Sequence, residues 1–134
     1  MDGSDLEQIL KNHGRWLADE DDGERARLAE KDLSGAKLAG AKLRKADFHG
    51  ADLSDADLAG ADLAEANLAG ANLRGATLEG AILRDADLSE ADLRGAKLLN
   101  AELAGAEVSK ANLKGCAITP EALHAILGCR SESL

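Results

Sequence analysis

Nineteen pentapeptides follow one another in unbroken register from Ala26 to Pro120. The central residue of each five is large and apolar, running through Leu28, Leu33, Leu38, Leu43 and Phe48 to Leu113 and Ile118. In all there are sixteen Leu, one Phe, one Val (Val108) and one Ile. Two positions earlier stands Ala in seventeen of the nineteen, with Lys31 and Cys116 as the departures. A period of five fits neither the 3.6 of a helix nor the 2.0 of a strand. Five helical residues turn roughly 500°, which would spread the Leu positions around the axis. Repetition at a short fixed period predicts a solenoid, in which each unit buries its apolar side by stacking on its neighbours. One small and one large inward residue per repeat leave a coil with flat sides and a corner in each five. Gly at the last position of many repeats, such as Gly35, Gly60 and Gly105, suits those corners.

The runs ADLSDADLAGADLAEANLAGANLRGATL (Ala51 to Leu78) and ADLSEADLRGAKL (Ala86 to Leu98) resemble the pentapeptide repeat family, whose motif is A(D/N)LXX. The resemblance covers about 93 of the 134 residues. It implies an all-β solenoid, a right-handed quadrilateral parallel β-helix with four pentapeptides per coil. Residues 26–118 would then supply about 4.5 coils, with residues 20 apart lying above one another, in a stack about 22 Å tall. Lys31 at an inward Ala position places the start of the regular coil near Asp32.

The two ends of such a stack expose unpaired edges and an open core, so caps are expected. Residues 1–25 read as an N-terminal capping helix and acidic loop. Ser4-Asp5-Leu6-Glu7 has the capping-box pattern, and Leu6, Ile9, Leu10, His13, Trp16 and Leu17 follow at helical spacing. Trp16 is the expected lid over the first coil. Asp19 to Glu24, with Gly23, form the acidic loop. Residues 119–134 read as a C-terminal capping helix and tail, with Thr119 as N-cap, Pro120 at the first helical position and Gly128 as the stop. Between them, residues 26–118 form the repeat domain.

No apolar run approaches the ~20 residues needed to cross a bilayer, and the opening Met1-Asp2-Gly3-Ser4 is unlike a signal peptide. Two cysteines argue against a disulfide framework, so a cytoplasmic location is expected. Cys116 occupies an inward slot and reads as a small buried hydrophobe, Cys129 as a free thiol in the tail.

A formal net charge of −9 raises the question of DNA mimicry, which the resemblance implies for some relatives that bind topoisomerases. Its distribution argues otherwise. Residues 1–25 hold eight acids and three bases (net −5), whereas residues 26–118 hold fifteen acids and twelve bases (net −3). A rod imitating a phosphate backbone should carry its charge along the rod.

Stacking by 20 separates the faces. On the side of Leu33, Leu53, Leu73, Leu93 and Leu113, one row reads Asp32, Asp52, Asn72, Asp92, Asn112 and its neighbour reads Ser34, Ser54, Arg74, Arg94, Lys114. Such ladders largely cancel, leaving a solvated, salt-bridged surface. The side of Leu38 to Ile118 carries Ala39, Ala59, Glu79 and Leu99. The side of Leu43 to Leu103 carries Ile82 between Ala64 and Ala104. These two sides are the candidate protein-binding surfaces.

No catalytic constellation, cofactor site or metal-ligand spacing is evident, and His13, His49 and His124 lie far apart along the chain. The Asp row reads as corner hydrogen bonding rather than a cation site. An acidic chain without Tyr is poorly suited to direct nucleic-acid binding. The expected function is a non-enzymatic interaction scaffold that presents rigid faces to a protein partner, as a monomer with at most weak end-to-end association. The alternative is a DNA-mimicking binder and protector of gyrase.

Overall fold

Each pentapeptide folds by closing a turn on its own central residue. The carbonyl of the Leu accepts from the N–H of the Ala three residues on, as in Ala36 N to Leu33 O at 3.0 Å and Ala56 N to Leu53 O at 3.1 Å. The residue before that Ala has φ between +57° and +76° at every repeat from Glu30 to Gly115, the value the third position of a type II turn requires. A four-residue turn in a five-residue unit leaves the Asp or Asn before the Leu as the one residue free to pair with the next layer. It does so in this computed structural model, which describes residues 1–127. Fifteen parallel bridges run from Arg27↔Asp47 to Lys97↔Ala117, and each joins residues 20 apart. Four fall in every 20 residues, one per side, so the stack is four-sided. The flat sides expected from the sequence are thus single bridged residues, too short to be ordinary strands.

Backbone bonds between layers repeat the same arithmetic. Leu73 N donates to Asp92 O at 2.8 Å and Asn72 N to Ala51 O at 2.9 Å, so the same pentapeptide is tied to the layers above and below. Inside, Leu and Ala alternate around the bore. Leu53, Leu58, Leu63, Leu68, Leu73, Leu78 and Leu83 are fully buried, as is Phe48. Each such side chain contributes roughly 1.5–3 kcal/mol before entropy is counted.

The coil begins earlier than Lys31 suggests. Ala26 and Leu28 are buried, Arg27 bridges Asp47, and Leu28 N donates to Asp47 O at 2.7 Å. Lys31 disrupts nothing because its side chain remains exposed at this lowest layer, where no coil lies beneath it.

The N-terminal cap is helix α1, Gly3–Leu17. Asp2 is its N-cap, accepting from Asp5 N at 2.9 Å, and Ser4, expected in that role, lies in the first turn and donates its hydroxyl to Asp2. An Asp cap is at least as good as Ser, so the helix starts as soon as one is available. Leu6, Ile9 and Leu10 pack on the core. Trp16 is not the lid: it is half-buried, with its ring stacked 5.4 Å from that of His13, and His13 is the fully buried residue.

At the other end helix α2, Pro120–Ile126, starts as read from the sequence, with Thr119 accepting from Ala122 N at 3.2 Å. The Gly128 stop and Cys129 lie outside the described residues. Ala122 and Ile126 pack on the last coil, which seven helical residues cover only in part. Leu113, Ile118 and Cys116 are therefore half-buried, and Cys116 is less enclosed than its inward slot implied. What burial it has pushes its thiol pKa up. No helix among the described residues is long and apolar enough to cross a membrane.

Candidate interaction faces

The outward surface is organised by the Asp or Asn of the motif. Its side-chain oxygen accepts from the backbone N–H two residues on, at Asp52 to Ser54 (3.0 Å), Asp62 to Ala64 (3.1 Å), Asn67 to Ala69 (3.0 Å) and Asp87 to Ser89 (2.9 Å). These Asx bonds steer the chain into the turn, and an acceptor oxygen of either carboxylate or amide serves equally. At Asp32 and Asp52 the hydroxyl of the Ser two residues on, Ser34 and Ser54, adds a second bond. The Ser34 hydroxyl holds the Asp32 carboxyl below its ordinary range, and the Arg94 guanidinium does the same for Asp92. The acidic rows are thus engaged in corner bonds, and no grouping of His, Cys, Asp and Glu suited to a metal occurs among the described residues.

Long side chains pair across the surface, between adjacent layers for Arg44, Lys45 and Arg84 and within one pentapeptide for Arg94. Arg44 and Lys45 reach Glu65 at 3.5 and 3.8 Å, Arg84 reaches Glu102 at 3.4 Å, and Arg94 binds Asp92 at 2.6 Å. All but the half-buried Asp92 are solvent-exposed, so the pairs contribute little stability, but they neutralise charge locally.

The two candidate binding sides fare differently. On the first, Leu99 is 41% exposed and is the one large apolar residue of the coils that is exposed among the described residues, with Ala39 exposed and Ala59 half-exposed in the same row. On the second, Ala64 is only 7% exposed, contrary to its expected place on an open surface. Arg44 and Arg84 stand one layer below and above it, and with Asp62, Glu65 and Asp85 they line a polar cleft around its methyl group. Ile82 is half-buried between Asp62 and Glu102, its bridge partners, and Ala104 is exposed. Ala64, Ile82 and Ala104 therefore form no continuous apolar patch.

The histidines are separated as expected: His49 is exposed on the coil, His124 sits in α2, and His13 is enclosed under α1. The role of His13 was not evident in the sequence. Its place on the apolar stripe of α1, in line with Leu6, Ile9 and Leu10, was the signal.

The family profile for pentapeptide repeats (8 copies) matches residues 24–55, 32–65, 51–89 and 81–117. The chain belongs to the pentapeptide repeat family. Members of this family form right-handed β-helices, and the four-sided stack of 20-residue layers described above is of that kind. Among solved structures, the chain is 30% identical to a pentapeptide repeat protein of Nostoc PCC 7120, covering 87% of this chain and 90% of that one, with a TM-score of 0.33. A pentapeptide repeat protein of the cyanobacterium Cyanothece 51142 is 26% identical, covering 71% and 86%, with a TM-score of 0.35. QnrB1, a plasmid-mediated fluoroquinolone resistance protein, is 18% identical, covering 79% and 71%, with a TM-score of 0.28. No curated protein matches the chain significantly.

Proposed function

We propose that this pentapeptide repeat protein is a non-enzymatic scaffold of about four and a half coils that binds a protein partner through the side carrying Ala39, Ala59 and Leu99. The observation that supports this most is Leu99, 41% exposed on an otherwise flat and weakly charged side. Inward positions are nearly uniform and mostly buried, so specificity is written mainly outward, as in other solenoids. Apolar contact supplies affinity where scattered, paired surface charges supply little. Binding would take place in the cytoplasm and involve neither nucleic acid nor membrane.

Gyrase protection by DNA mimicry fits less well. The carboxylates along the coil are matched by bases at Glu65, Glu102 and Asp92 and are bonded at the corners, which leaves no uniform negative stripe. Purified protein should accordingly leave gyrase supercoiling unchanged at micromolar concentration, and inhibition or protection from a quinolone would favour the mimic instead.

The deciding experiment compares captures from the native cell by wild type, Leu99→Asp and Arg74→Ala, each quantified by mass spectrometry. A partner retained by wild type and Arg74→Ala and lost by Leu99→Asp is the expected result. A partner retained equally by all three moves the binding surface to the caps or charged rows.

A further inference from the structure

His13 occupies the place of a missing repeat. Elsewhere in the stack the N–H of each motif Ala donates to the Leu carbonyl three residues back, as in Ala46 N to Leu43 O at 3.0 Å. Ala26 has Gly23 at that position instead, and its N–H donates to Nδ1 of His13 at 2.9 Å. Likewise the carbonyl after each Leu accepts from the layer below, as Ala64 O accepts from Lys45 N at 2.9 Å. The corresponding carbonyl at the bottom of the stack, Arg44 O, is met by Nε2 of His13 at 2.9 Å. One imidazole thus completes two backbone positions that a further pentapeptide would have filled.

This double bond pattern admits one protonation state. Nδ1 accepts from Ala26 N–H and carries no proton, so Nε2 bears the proton that Arg44 O accepts. A proton on Nδ1 would confront the Ala26 N–H, and the ring is wholly enclosed, with Trp16 stacked against it. We propose that His13 is an acid-sensitive latch, whose protonation releases α1 from the first coil and uncovers the lower edge of the stack.

The charged groups around the ring oppose the extra proton or are otherwise engaged. From α1, Arg15 pairs with Glu20 and Asp22. From the loop, Arg25 adds a like charge near the ring and binds Lys45 O at 2.8 Å, while Glu24 is tied to α1 through its backbone N–H on Asn12 O. From the coil, Arg44 and Lys45 turn to Glu65. No carboxylate among the described residues bonds His13, so nothing compensates an imidazolium. Burial first, and then Arg25, hold its pKa below the ordinary value. With the folded value depressed, the stability contributed by the neutral ring is fully present above about pH 6.5, the unfolded value, and is lost as pH falls through the folded one.

The test is hydrogen exchange of the full chain by NMR at about pH 7 and about pH 5, the range in which histidine titrates, corrected for intrinsic rates. The Ala26 amide should lose at least about tenfold in protection on acidification while the mid-stack Leu73 amide, bonded to Asp92 O, holds its own. Unchanged Ala26 protection, or loss in step with Leu73, would overturn the latch. In His13→Gln, which cannot titrate, Ala26 protection should be the same at both pH values. Persistence of the acid-induced loss in that variant would assign it to another group and overturn the proposal. If the variant does not fold, the wild-type comparison decides alone.

Discussion

Single residues carry two kinds of constraint in this chain, one repeated and one unique. The repeated one is the positive φ that closes every pentapeptide. Ten of these positions are Gly and eight, from Glu30 to Lys110, are not, so the turn tolerates the left-handed conformation at roughly 1–2 kcal/mol where a side chain is kept. Gly60 has φ +67° and open space where a Cβ would be, so Gly60→Ala should cost about 1 kcal/mol in a urea titration through backbone strain alone. The unique constraint is Gly23, where no positive φ is involved. A Cβ there would overlap Trp16 N and the backbone of Arg15, because the loop folds directly against the end of α1. Gly23→Ala should push the loop off the helix, loosen the His13 bonds and destabilise the cap by about 1–3 kcal/mol. A shift in Trp16 fluorescence with native-like circular dichroism would show the lesion to be local; an unchanged Trp16 spectrum would contradict that packing. The repeated constraint was legible in the sequence because ten Gly fall in register. The unique one was not, since a single Gly in an acidic loop looks like any other turn residue.

Elements were legible to the extent that their signals are local. Thr119-Pro120 marked the start of α2, and the amphipathic stripe marked α1. Which residue of α1 would be enclosed depends instead on how the helix crosses the first coil. That crossing places Leu6, Ile9, Leu10 and His13 inward and leaves Trp16 at the margin, an outcome set by tertiary packing that the stripe alone does not specify. A protective role for the cap is open to a direct test. The backbone N–H and C=O groups of Asp32 and Lys37 have no hydrogen-bond partner among the described residues, and the start of α1 stands across a cleft from them, beside this edge without pairing it. Removing residues 1–25 should therefore give a protein that keeps its β signal in circular dichroism and self-associates by light scattering. A truncated chain that stays monomeric would show that α1 is not what prevents end-to-end contact.

At the scale of the whole molecule, a strict inward code builds the stack and a loose outward code covers it. The inward code was largely legible: from Ala26 to Ala106 every central Leu or Phe chosen by period is buried, and so are most of the Ala positions, with Ala36, Ala41 and Ala101 half-buried. The outward code was legible only as rows. Ala64 looked open in sequence and is covered by Arg44 and Arg84, because long side chains lean across layers in ways that spacing does not record. The partner-binding proposal at Leu99 rests on this separation, so the separation is what most needs testing. Leu73 is fully buried at mid-stack and Arg74, the next residue, is exposed. In parallel urea titrations, Leu73→Ala should lose about 2–5 kcal/mol through lost burial and a cavity, and Arg74→Ala about 0.5 kcal/mol or less. Comparable losses at the two positions would contradict the division between an inward residue that makes the fold and an outward one free to make contacts.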